Sequence, residues 1–203
     1  MPEARTTART SARRALAALA AGAAALALVA CSPGDDGGDP TVVDPGYQEG
    51  TGAFTTWSPA ERTDAPQIAG VDFDGNAIDL ADWRGDVVVL NFWYAACPPC
   101  RAEAPDLVSI ADTYAGDGVR LLGVNGTDDA ATANAFKQTY GITFPSLDDG
   151  DATAVAALEG LVPLRAMPTT VVLDTEGRPA ARIVGLATET TLAGLIDDVL
   201  AEG

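Results

Sequence analysis

The chain has 203 residues, 47% of them hydrophobic and 20% charged, and carries a net charge of −17 at pH 7. These proportions fit one globular domain with an appendage and exclude a collagen-like, low-complexity or disulfide-scaffold protein. The acidity argues against nucleic acid as a partner, and the absence of histidine removes Ser-His and Cys-His catalytic pairs, His-ligated metals and imidazole acid–base chemistry.

Arg5, Arg9, Arg13 and Arg14 precede an uncharged run over 15–30, mostly Ala, Leu and Val. This is the basic-then-apolar order of an export signal. A retained membrane helix is the competing reading, but the run is short against the roughly 20 residues that span a bilayer. It ends Leu28-Val29-Ala30-Cys31, which resembles the lipobox of bacterial lipoproteins. That resemblance implies removal of residues 1–30, lipidation of Cys31 and attachment to the extracytoplasmic side of a bacterial cell membrane. Arg13-Arg14 matches a twin-arginine signal poorly, so the export route stays open. Removing 1–30 leaves a chain still more acidic, so a basic patch cannot hold it to the membrane and acyl chains must. Residues 32–50 hold eight Gly or Pro with Asp35, Asp36, Asp39, Asp44 and Glu49 and no basic residue. Residues 31–54 therefore read as a lipidated cysteine on a flexible acidic tether, and 55–203 as the folded domain.

Within that domain, 71–73 and 78–80 read as a hairpin around Asp74-Gly75-Asn76. Residues 87–93, Val-Val-Val-Leu-Asn-Phe-Trp, are nearly continuous apolar, as in a strand buried on both faces. A helix follows over 98–114, with Ala104, Leu107, Ile110, Ala111 and Tyr114 near helical spacing and a kink expected at Pro105. Next come a strand over 119–125, a helix over 130–140 capped near Thr127 or Asp128, a short strand over 144–147 and a helix over 152–159. The chain closes with a strand over 170–173, a turn at Asp174-Thr175-Glu176-Gly177, a strand over 180–184 and a helix over 188–201. Strands separated by helices predict an α/β sheet with one antiparallel pair at Gly177. Trp57, Trp83, Phe92 and Trp93 read as packing residues.

If Cys31 carries lipid, Cys97 and Cys100 remain as one pair. Cys97-Pro98-Pro99-Cys100 sits where the buried strand turns into a helix, beside free backbone N–H groups and the positive end of the helix dipole, both of which favour thiolate. The two prolines preset the first turn. A structural staple is a poor alternative, because so short a loop gains only about 2 kcal/mol. Zinc is another, and it asks for four ligands where two thiolates stand. Redox chemistry is the favoured reading.

Asn91-Phe92-Trp93-Tyr94-Ala95-Ala96-Cys97-Pro98-Pro99-Cys100-Arg101-Ala102-Glu103-Ala104-Pro105 resembles the active-site segment of thioredoxin-like proteins of the TlpA/ResA branch. Arg165-Ala166-Met167-Pro168-Thr169-Thr170-Val171-Val172-Leu173-Asp174, followed by Gly177, is similar to that family's cis-proline strand and hairpin. The resemblance covers about 55–203. It implies a thioredoxin-like α/β fold: a central mixed β-sheet flanked by helices, with an N-terminal β-hairpin and a helix–strand insertion over 130–147. It also implies roles. Cys97 is the attacking thiolate, and Cys100, one turn in and more buried, resolves the mixed disulfide. Glu103, on the helical face of Cys100, is an active-site carboxylate that moves the resolving thiol's proton; a solvated first-turn glutamate is the plainer alternative. Pro168 is cis and presents the Met167 backbone to an extended substrate; an ordinary strand-start proline is the alternative there. Asn91 stands where thioredoxin has a buried aspartate. Two residues depart from the pattern: Ala96, where tryptophan is usual, and Tyr94, where a small residue is common.

The implied function is a membrane-anchored, extracytoplasmic thiol-disulfide oxidoreductase that reduces protein disulfides. Apocytochrome c is the family's best-known substrate, and a transmembrane thiol donor would supply electrons. No cofactor or metal is implied, and a monomer is expected. A disulfide-forming oxidase and a Cu(I)-binding metallochaperone module are the competing functions. A peroxidase is disfavoured, because Tyr94 stands where the peroxiredoxin pattern has threonine.

Overall fold

A computed structural model describes residues 52–163 and 166–203. The export run, Cys31 and the tether up to residue 51 lie outside these residues, as do Leu164 and Arg165. In chain order the elements are β1 (Ala53–Thr56), β2 (Ala69–Val71), β3 (Ala77–Asp79), a 3₁₀ turn (Leu80–Trp83), β4 (Val87–Phe92), α1 (Pro98–Thr113), β5 (Val119–Asn125), α2 (Ala130–Tyr140), β6 (Ser146–Asp148), α3 (Thr153–Ala157), β7 (Thr169–Leu173), β8 (Pro179–Val184) and α4 (Glu189–Leu200). Six strands form one sheet in the order β1-β8-β7-β4-β5-β6, and β2 and β3 form a separate hairpin. β4, β5 and β6 run parallel, whereas β7 is antiparallel to β4 and β8 is antiparallel to both β7 and β1.

Every residue of β4 is buried, and its side chains alternate between two cores. Val88, Leu90 and Phe92 join Ile68, Ile78 and Leu80 from the hairpin side and Leu158 from beyond α3. Val87 and Val89 join Leu107 and Ile110 of α1 and Leu192 and Ile196 of α4 on the opposite face. Asn91 shares the parity of Val87 and Val89, so the period of two carries one polar side chain to the face that α1 covers. The register then sets Asn91 beside Thr170 of β7 and Gly123 of β5.

α1 runs through Pro105 without a break and ends where the Tyr114 N–H donates to the Ile110 carbonyl. Its buried face is Pro99, Cys100, Glu103, Ala104, Leu107 and Ile110, which repeats at three and four residues. α2 is capped by Asp129, which accepts from the Thr132 N–H at 2.8 Å, and not by Thr127 or Asp128. Those two donate their own N–H groups to the Asn125 side chain. α3 is shorter than the expected 152–159; the Ala154 and Val155 N–H groups donate to the Asp149 carboxylate.

Two boundaries move at the N-terminal side. The domain start placed at Thr55 falls inside β1, a strand of four exposed residues that pairs with β8. The hairpin arms lie at 69–71 and 77–79, because the Asp72 carboxylate gathers the N–H groups of Asp74 and Asn76 into the turn. Phe73, read as strand, is instead buried against the cysteine pair. No helix among the described residues is long and apolar enough to cross a membrane.

Candidate active site

β4 delivers the chain to its own C-terminal end in the middle of the sheet, and the segment from Trp93 to Cys97 turns it into α1. Cys97 is the N-cap, with extended backbone, and Pro98 and Pro99 occupy the first positions of the helix. The Cys97 Sγ accepts from the Cys100 N–H at 3.2 Å, so a main-chain donor and the helix dipole both face this sulfur. Cys97 and Cys100 form a disulfide with Cα atoms 5.3 Å apart. The expected difference in burial does not appear: Cys97 is 0% and Cys100 is 3% exposed. Both belong to a cluster with Phe73 of the hairpin turn, Trp93, and Ala133 and Phe136 of α2, flanked by half-buried Tyr94, Ala95 and Met167. Trp93 packs as read, stacked on Phe136 at 4.4 Å and donating its indole N–H to Ser146 Oγ at 3.0 Å. Of the two departures from the family pattern, Ala96 is exposed and Tyr94 is half-buried.

Glu103 is fully buried, which sets aside the solvated first-turn alternative. It lies three residues after Cys100 on the same helical face, where Cβ atoms are roughly 5–6 Å apart. One carboxylate oxygen accepts from Asn91 Nδ2 at 2.7 Å and the other from the Ala187 N–H at 2.9 Å. The second Asn91 N–H goes to Thr170 Oγ1 at 3.1 Å. Both donors to Glu103 are neutral, and no described residue forms an ion pair with it. Burial pushes its carboxyl from the usual 4.5 up to about 7, against the pull of the Ala187 and Asn91 hydrogen bonds and with a smaller push from the Asp106 charge. A carboxyl in that range gives and takes protons at neutral pH. A cavity of about 10 Å³, close to the least that holds one water, touches both Asn91 and Cys100.

The Met167–Pro168 peptide bond is cis. The Pro168 carbonyl accepts from the Gly185 N–H at 2.8 Å, and Met167 packs against both the sheet core and the cysteine cluster. The segment 185–187 thus ties the proline to Glu103, since Ala187 is two residues beyond Gly185. Thr170 and Ala187 are site residues that sequence reasoning alone does not reach. Thr170 follows only from the pairing of β7 with β4, and Ala187 acts through its main chain, which no side chain signals. Among the described residues no group of three or more Cys, Asp or Glu is arranged to hold a metal ion.

The AhpC/TSA family matches residues 62–179, a span that includes the cysteine pair and the cis-proline strand. The thiol-disulfide oxidoreductase ResA of Bacillus subtilis is 30% identical over 133 residues, covering 66% of this chain and 72% of that one. Among solved structures, a secreted thiol-disulfide isomerase from Corynebacterium glutamicum superposes with a TM-score of 0.68 at 32% identity, covering 73% of this chain and 92% of that one. A DsbF homologue from Corynebacterium diphtheriae gives 0.65 at 32% identity, covering 79% and 99%. A mixed sheet flanked by helices, a cysteine pair at the first turn of α1 and these relatives lead to one conclusion: the chain belongs to the AhpC/TSA family and is a thiol-disulfide oxidoreductase of thioredoxin-like fold, related to ResA.

Proposed function

We propose that this oxidoreductase works as a reductant of protein disulfides outside the cytoplasm. The observation that carries the reading is the position of Cys97 as N-cap of α1, its sulfur accepting from a main-chain N–H, with a buried carboxyl one turn beyond Cys100. In the dithiol form the Cys97 thiolate attacks one sulfur of a substrate disulfide, forming a mixed disulfide and releasing the first substrate thiolate. Cys100 gives its proton to Glu103 and attacks Cys97 Sγ, which closes the Cys97–Cys100 disulfide and releases the second substrate thiolate. Two electrons pass to the substrate. The cis bond at Pro168, itself buried, presents the backbone of half-buried Met167 to the substrate chain.

What surrounds the sulfurs supports the reductant direction. A strong oxidant is one whose reduced form is stabilised, and burial and a nearby negative charge both work against a stabilised thiolate. Here both sulfurs are buried and the ionised form of Glu103 repels a second negative charge, which favours giving the electrons away. Residues 1–30 are the export signal, Cys31 carries the lipid, and the segment from there to β1 is the tether. The C. glutamicum relative is described as secreted, which supports an extracytoplasmic site. Apocytochrome c cysteines are the proposed substrate and a transmembrane thiol protein the proposed electron donor; the chain acts as a monomer.

The test is the Cys97–Cys100 reduction potential of the full chain, equilibrated with glutathione and then dithiothreitol buffers, with the thiol state read by alkylation mass. A potential near or below about −250 mV is expected. A value above about −180 mV contradicts the reductant and points to a disulfide-forming oxidase. Cys97→Ser should abolish exchange with a model disulfide; retained exchange removes the nucleophile assignment.

A further inference from the structure

Ala95, two residues before Cys97, is held on both sides of its backbone by side chains of opposite charge. Its N–H donates to Asp128 Oδ2 at 2.6 Å, and its carbonyl accepts from Arg101 Nε at 2.8 Å. Each bond has one ionised partner and so is of the stronger kind.

Asp128 is anchored to the sheet. The oxygen that takes the Ala95 N–H also accepts from Asn125 Nδ2 at 2.8 Å. Asn125 Oδ1 in turn accepts from the N–H groups of Thr127 and Asp128. Asn125 ends β5 and is 1% exposed, so the carboxylate has a fixed place. Arg101 reaches back over the first turn of α1, where its own N–H donates to the Cys97 carbonyl at 3.2 Å. Among the described residues it forms no ion pair. The remaining charged groups on the elements packed against the cysteines are Glu103, Asp106 and Asp112 on α1, Asp129 at the cap of α2, buried Asp72 in the hairpin turn, and the Asp74–Lys137 pair, at 3.2 Å, which fastens that turn to α2. The charges of that pair offset each other.

The loop that presents Cys97 is thus fixed by one acid from the β5–α2 connection and one base from α1. The acid disfavours a thiolate nearby and the base favours it. We propose that Asp128 and Arg101 are positioning residues whose charged clamp on the Ala95 peptide sets the dithiol–disulfide balance of Cys97 and Cys100. The inference rests on the dithiol chemistry above and adds two residues that touch neither sulfur.

Charge-selective variants test it. In Asp128→Asn the amide oxygen still accepts from Ala95 and Asn125 while the charge is gone. Arg101→Met removes charge and donor, and Arg101→Lys keeps the charge. The full-length variants are equilibrated in thiol buffers at pH 8, and alkylated peptides are weighed so that Cys31 is read apart. Asp128→Asn should raise the dithiol-to-disulfide ratio about threefold or more, Arg101→Met should lower it by a similar factor, and Arg101→Lys should stay within about twofold of the parent. Shifts in the same direction, as from a merely loosened loop, or shifts under about threefold overturn the clamp. Should either single variant lose its cooperative urea transition, the double variant Asp128→Asn/Arg101→Met decides: the opposed charges predict a ratio within about twofold of the parent, and a larger departure overturns the proposal. If the parent pair itself fails to exchange with thiols, it is the oxidoreductase chemistry that fails and not the clamp.

Discussion

β7 has a buried carboxylate near each end, and the two behave in opposite ways. At one end, beside Thr170, lies Glu103, fully buried and bonded to two neutral donors. At the other, Asp174 is 4% exposed and bonded to Arg62 Nη1 and Arg178 Nε, each at 2.9 Å, and to the N–H groups of Glu176 and Arg178. Burial raises both carboxyls. At Asp174 the hydrogen bonds from Arg178 and Arg62 outweigh it and hold the group below 3.8, whereas at Glu103 nothing does and the group rises to about 7. The more deeply buried Glu103, given no cation, is thus left able to exchange a proton near neutral pH, whereas Asp174, supplied with two cations, stays an anion. Asp174 belongs to the scaffold, since Arg62 also grips Glu202 at 2.6 Å and ties the segment after β1 to the end of α4. Glu103 is the group we propose for the chemistry.

The largest expected effect breaks the scaffold side. Arg62→Met leaves a buried acid short of one partner and should cost about 3 kcal/mol in urea unfolding. The Cys97–Cys100 equilibrium should not move; a coupled change in both would mean that the two ends of β7 are not separate.

Because the Glu103 carboxyl is raised in the folded chain, its stabilising contribution is present below about pH 4.5 and is lost as pH rises to about 7, a swing of about 3 kcal/mol. Asp174 runs the other way, its contribution present above the ordinary value of 3.8 and lost as pH falls below it. The unfolding free energy of Glu103→Gln should therefore rise relative to the parent's between about pH 4.5 and 7, and a constant difference across that window refutes the assignment. A smaller effect is expected at Thr170→Val, which removes the acceptor of the second Asn91 N–H. It should cost about 1 kcal/mol and leave the Glu103 titration within half a unit.

Much of this was legible in the sequence because its signals are local. The apolar run of β4, the spacing along α1 and the chain order of strands and helices announce the sheet. The cysteine pair and Glu103 are neighbours on one helix, so their spacing alone brings them together. β1 escaped notice because four exposed residues show no alternation, and only its pairing with β8 makes it a strand. Asp128 reads from the sequence as a helix cap; in the fold it turns to the Ala95 N–H, and Asp129 caps α2. The burial of Cys97 depends on Phe73 and Phe136 arriving from distant parts of the chain, which no local pattern near residue 97 records.

The most direct test of the account is a carbon-13 NMR titration of the Glu103 side-chain carboxyl in the disulfide and dithiol forms of the full chain. A midpoint about 7 is expected in the disulfide form and a higher one in the dithiol form, where a neighbouring thiolate holds the proton on. A midpoint near 4.5, or the same midpoint in both forms, would contradict it.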